Sequence, residues 1–135
     1  MEPVTDWRQE VEAELDSALR RLTALAPEVK GNLTAEQASE VWGCYLLVEK
    51  GVAFIKLELD DGGAGRFVEK KSYSVPDDRQ AISLAATALR AGAAEFAAGR
   101  VASGLRSIRD ARNHLRMLLR RTRLSSRRPA ARTSV

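Results

Sequence analysis

Apolar residues return along this chain at steps of three and four for most of its length, the period of a helix that buries one face. Val4, Trp7, Val11, Ala18, Leu22 and Leu25 share such a face, and Ala26-Pro27 closes it, so the spacing predicts helix 1 over roughly residues 4–26. The next start is marked chemically. In Leu33-Thr34-Ala35-Glu36-Gln37-Ala38 the Thr34 hydroxyl is placed to cap a helix whose Gln37 reaches back to the Thr34 amide, with Leu33 and Ala38 as an apolar staple. From this cap runs the stripe Ala38, Val41, Tyr45, Val48, Val52, Ile55 and Leu59, which predicts a long helix 2. A minority reading competes at its end. Ile55 to Leu59 and Ser72 to Val75 also alternate apolar and polar, so a small β-hairpin over 54–75, turning at Asp60 to Gly65, fits the same residues.

Helix 3 is predicted to begin at Pro76-Asp77-Asp78, where a proline and two acids suit a first turn, and to end at Gly99. Its buried face is Ile82, Ala86, Leu89, Ala93 and Phe96, and so many alanines imply close packing on a neighbouring helix. Helix 4, about 100–123, buries Val101, Leu105, Ile108, Ala111, Leu115, Leu118 and Leu119. Four amphipathic helices with two short links and one longer crossover between helices 2 and 3 predict an all-α, antiparallel four-helix bundle. The expected domain is 1–123, followed by a disordered arginine-rich tail over 124–135 that has little to bury. Trp42 and Leu46 lie beside the main stripe of helix 2, and they fit either a broader internal core or a homodimer face.

At 135 residues the chain suits one domain able to bury about two thirds of its unfolded surface. Its formal charge of +4 conceals a division. Residues 1–78 hold 9 Lys+Arg against 16 Asp+Glu, a net −7, whereas residues 79–135 hold 13 against 2, a net +11. Residues 100–135 alone carry 11 arginines and one acid, Asp110, a local +10. The early residues are acidic with no apolar run, and no stretch of about 18 uncharged apolar residues occurs, so neither a secretory signal nor a membrane span is read and a cytoplasmic location is expected.

Arginine order sharpens the charge. With Arg106 at zero and about 100° per residue, Arg109, Arg112, Arg116, Arg120 and Arg123 fall between about 240° and about 320°, while the apolar set centres near about 190°. This stripe leads into Arg127, Arg128 and Arg132. Guanidinium groups at three- and four-residue steps can each meet a phosphate with little demand on base sequence, which points to a nucleic acid, with RNA favoured, or to an acidic protein surface. The alternative is internal: Glu10, Glu12, Glu14 and Asp16 of helix 1 could pair with the same arginines inside the bundle or across a dimer.

Catalytic patterns are sparse. One Cys (Cys44) and one His (His114) cannot supply a structural zinc set, no Glu-x-x-His pair for a di-metal bundle occurs, and no cofactor or metal is implied. Cys44, mid-helix beside Trp42 and Tyr45, reads as a small buried apolar residue. Arg66, Lys70 and Lys71 near Phe67 and Tyr73 could touch a ligand, but Gly62 to Gly65 lack phosphate-loop spacing.

One constellation resembles a known family. Arg109-Asp110-Ala111-Arg112-Asn113-His114 has the form Arg-x-x-x-x-His with a polar residue after the arginine, and so resembles the signature of HEPN domains. Ala38-Ser39-Glu40-Val41-Trp42-Gly43 and Val48-Glu49-Lys50-Gly51-Val52-Ala53 are similar to the second helix of that superfamily. The resemblance covers roughly 34–58 and 100–120. It implies a small helical-bundle dimer of a kind often found as a metal-independent ribonuclease or toxin-system component. Arg109 would then clamp a phosphate and His114 act as acid/base near a 2′-hydroxyl. Without the family, His114 is a helix-flank residue with a partly packed ring. The residues together favour a non-enzymatic nucleic-acid-associated or assembly protein, with a HEPN-type ribonuclease and a protein-binding adaptor as the other readings.

Overall fold

A computed structural model describes residues 7–59 and 77–133, with side chains as far as 57 and 122 in the two stretches. Among the described residues there are four helices and no strand. Helix α1 spans Trp7–Leu25 and runs into a 3-10 turn, Ala26–Glu28, in which Pro27 ends the α-helical hydrogen bonding. Helices α2 (Ala35–Leu59), α3 (Asp78–Ala97) and α4 (Val101–Thr133) follow.

The helix ends have identifiable chemical causes. At α2 the Gln37 amide donates to Thr34 Oγ1 at 3.1 Å while the Thr34 amide donates to Gln37 Oε1 at 3.0 Å, the reciprocal cap expected from the sequence. Asp77 caps α3 by accepting from the Gln80 amide at 2.8 Å. Gly99 closes α3 with φ +92°, a left-handed conformation that glycine adopts without strain.

The helices form an antiparallel bundle in which α1 and α4 each rest against both α2 and α3. Asp78, the first residue of α3, lies against Leu33 at the start of α2, with the Leu33 amide donating to Asp78 Oδ2 at 3.0 Å. Both helices therefore begin at the same end of the bundle. At the other end Trp7 of α1 meets Phe96 of α3, ring centroids 5.8 Å apart. Helix α2, with 25 residues, is about 37 Å long.

Fully buried Leu15, Leu22, Ile55, Ile82, Leu89, Leu105, Ile108, Leu115 and Leu118 fill the middle. Leu15 joins the α1 face between Val11 and Ala18. The closest approach of α3 and α4 is made by glycines and not by the alanines expected from the sequence: a methyl group built on Gly104 would stand 2.9 Å from the Gly92 carbonyl oxygen and from the Phe96 amide nitrogen. Backbone meets backbone at this α3–α4 seam.

Two sequence readings change here. The minority hairpin over 54–75 is overturned, because α2 is helical through Leu59, carried there by the apolar series Val48, Val52 and Ile55 packed on the core; residues 60–76 lie outside those described. Helix α4 runs on to Thr133 instead of ending near Arg123, through a segment in which Ala130, Ala131 and three arginines favour a helix while Ser125, Ser126 and Pro129 do not. The side chains of that extension are outside the described set, as are Arg66, Phe67, Lys70, Lys71 and Tyr73.

Candidate nucleic-acid interface

Helix α4 carries its arginines in three different environments. Arg106, Arg116 and Arg120 are exposed, Arg109 and Arg121 half-buried, and Arg112 buried, with a relative exposure of 8%. Arg123, Arg127, Arg128 and Arg132 lie on the helix backbone, their side chains outside the described residues.

The buried member sits between the stripe and the apolar face, so α2 covers it. Arg112 Nη1 approaches Glu49 Oε1 of α2 at 3.5 Å, and Arg112 Nε donates to Asn113 Oδ1 at 3.1 Å. Glu49 also receives the Tyr45 hydroxyl, which donates to Oε2 at 2.6 Å, and stands 4.0 Å from Arg116 Nη2. One carboxylate thus faces two guanidinium groups. Burial, and then the bond to Glu49, push the Tyr45 phenol above its ordinary value, with Arg116 opposing.

On the far side of α4, Arg121 Nη2 donates to Asp78 Oδ1 at 2.6 Å. Asp78 is a buried carboxylate that takes a backbone amide on one oxygen and a guanidinium on the other, so its charge is compensated where it sits. The sequence marked Asp78 only as a first-turn acid of helix 3, and it gave Arg121 and Glu49 no part in an ion pair. Arg121 projects at about 60° on the same helical wheel, away from the stripe, and only its partner reveals its role.

Among the described residues, Glu14 and Asp16 of helix 1 pair away from this arginine row. Glu14 Oε2 meets Lys50 at 2.6 Å, and Asp16 Oδ2 meets Arg20 at 2.6 Å within α1. Glu10 and Glu12 are exposed. Among the described residues, the carboxylates that α4 meets on its neighbours belong to α2 and to the first turn of α3. Beside α2, Arg21 Nε donates to Glu40 Oε2 at 2.7 Å, which holds the Glu40 carboxyl below its ordinary value. A groove of about 430 Å³ at this α1–α2 end is lined by both signs of charge, including Arg20, Arg21, Glu28 and Glu36.

Next to the arginine edge α2 offers an aromatic one. Trp42 is 45% exposed and stacks on Tyr45, centroids 5.5 Å apart and planes inclined by 28°. Leu46, one turn on, is 48% exposed. Both were expected to widen the apolar surface of helix 2, and both point away from the core.

Arg109 and His114 lie on one unbroken helix, rotated by about 140° from each other. His114 Nε2 is 3.8 Å from Asp110 Oδ2, one turn earlier on the same helix. Cys44 is buried, and burial pushes its thiol up to about 11, which leaves no thiolate for nucleophilic chemistry at neutral pH. Among the described residues no group of three or more His, Cys, Asp and Glu could hold a metal ion, and no helix is long and apolar enough to cross a membrane. Compared with protein-family models, with curated proteins and with solved structures, the chain matches none.

Proposed function

We propose that this chain is a non-enzymatic nucleic-acid-binding protein, RNA favoured, that holds phosphates along the outer edge of α4. Arg106, Arg116 and Arg120 are the exposed contacts, and Arg123 and Arg127 recur at the same helical positions toward the end of the helix, whereas Arg128 falls at about 40°, nearer to Arg121. A single observation carries this reading: α4 presents ten arginines and one acid on one continuous helix, and the exposed ones recur along one edge. Arg112 and Arg121 have a different task, because their carboxylate partners tie α4 to α2 and α3. Three outward guanidinium groups at helical spacing place positive charge where a phosphate backbone can run, and they impose little sequence preference.

A salt series with a mixed-sequence RNA tests it. Each phosphate contact contributes about −0.7 to the slope of log affinity against log salt on a single strand, so the triple variant Arg106→Gln/Arg116→Gln/Arg120→Gln should flatten the slope by about 2. Affinity indifferent to salt sinks the proposal. The RNA should also come through the incubation intact; cleavage that disappears in His114→Ala would move the assignment to the HEPN-type ribonuclease. An unbroken helix keeps Arg109 and His114 of one chain on different flanks, which is why binding is preferred over cutting.

A further inference from the structure

We infer that the exposed Trp42–Tyr45 pair on α2 is a stacking platform for an unpaired base, and that the ligand of the α4 arginine edge is therefore a single strand. This rests on the phosphate-binding reading above and adds the class of nucleic acid.

The inference starts from an unusual exposure. Trp42 is 45% exposed although its ring carries a large apolar area, and on its other side the ring is supported by Tyr45. Tyr45 is itself held, its hydroxyl bonded to Glu49 at 2.6 Å. Tyr45 is thus anchored before anything binds, which lowers the ordering cost of stacking on the pair. Glu49 is also the carboxylate that Arg112 and Arg116 approach at 3.5 Å and 4.0 Å, so the aromatic edge of α2 and the arginine edge of α4 meet at one residue.

Charge decides among the possible occupants. Helix α4 carries ten arginines and one acid along its length, and its Arg116 lies beside the platform at Glu49. An apolar partner seated on Trp42 and Leu46 would bring its surface against Arg116, whose side chain is 46% exposed, and strip water from it at a cost. A nucleic-acid strand instead offers phosphate to the guanidinium group and a base face to the indole, and stacking of this kind accepts any base. A duplex cannot use both, because its bases are already stacked inside and A-form grooves do not present their faces. Leu46 extends the apolar floor on which a base or ribose edge can rest.

The test compares one RNA of about 15 nucleotides as a single strand and annealed to its complement, bound to the full chain across a salt series. The single strand is expected to bind more tightly. Trp42→Leu should weaken single-strand binding by about fivefold or more while leaving duplex affinity and the salt slope unchanged, and Trp42→Phe should keep most of the preference. In a Trp7→Phe chain, the remaining Trp42 emission should be quenched by the single strand; this reading does not require Trp42 to be replaced. Salt-dependent binding that is indifferent to Trp42→Leu and leaves Trp42 emission unchanged overturns the platform alone. Binding that does not respond to salt removes both this inference and the reading beneath it. Light scattering that finds a dimer, dissociated by Trp42→Leu, assigns the face to a second copy and likewise overturns the proposal.

Discussion

Helices α2 and α4 lie side by side and use their outward surfaces in opposite ways. Helix α4 concentrates its apolar residues on the core and fills most of the rest of its circumference with arginine. Helix α2 is apolar inward at Val41, Cys44, Val48, Val52 and Ile55 and apolar again outward at Trp42 and Leu46. Helix α4 is tied by packing and by ion pairs on two sides, Arg112 to Glu49 and Arg121 to Asp78. Trp42 and Leu46 each leave nearly half of their surface outside the bundle, more than packing alone requires of a tryptophan. Side chains that stabilise a fold and side chains available to a partner are thus separated by helix and by face.

Substitutions on the two sides of α2 give the largest contrast. Ile55→Ala, on the inner side, should lower stability by about 3 kcal/mol, through lost transfer energy and the cavity left behind, as read by urea denaturation. An unchanged urea midpoint would mean that the inner face is not the packed one. At the α3–α4 tie, Asp78→Ala removes the acceptor of the Leu33 amide and the carboxylate that Arg121 meets, and should cost about 2 to 3 kcal/mol, the partial exposure of Arg121 moderating the loss. Asp78→Asn should retain part of it by still accepting from the amide. Gly104→Ala brings a methyl group to 2.9 Å from backbone atoms of α3. Its net cost should be about 1 to 2 kcal/mol, because overpacking outweighs the better helix propensity of alanine; a rise in melting temperature would show that the seam can open.

Two smaller effects sharpen the comparison. Glu40 has its folded-state carboxyl value lowered by the hydrogen bond from Arg21, so its contribution is complete above the ordinary value of 4.5 and is lost as the pH falls through the lowered folded value. Both partners are partly exposed, and the contribution is below about 1 kcal/mol. Glu40→Gln should reduce the acid-induced loss of stability by that amount, and an identical acid limb in the two proteins would contradict it. Leu46→Ala, on the outer side of α2, should shift the urea midpoint by no more than about 0.5 kcal/mol in free energy. A loss comparable to that of Ile55→Ala would show that Leu46 is covered in solution.

Much of the fold was readable before any coordinates because its determinants are local. The Thr34–Gln37 cap needs only residues three apart, and the inward positions of each helix recur at helical spacing. The region 54–59 was ambiguous because a short run such as Ile55-Lys56-Leu57-Glu58-Leu59 satisfies both a period of two and the edge of a helical stripe. Packing of Val52 and Ile55 against the core resolves it. The arginine row was visible as a row, but its sorting was not. Arg112 lies nearer the apolar arc than its neighbours and is drawn in, whereas Arg121 stands off the row and is recognisable only through Asp78.

The sequence by itself determined the helices, their capped ends and the concentration of positive charge on the last of them, since each depends on backbone geometry and on residues a few positions apart. Tertiary structure alone decided which arginines became internal ties. An ion pair between helices depends on which surfaces the bundle brings together, and this one set α2 and the first turn of α3 against α4, leaving the acids of α1 elsewhere. That same arrangement put the outward tryptophan of α2 beside the outward arginines of α4, a proximity that no spacing along the chain encodes.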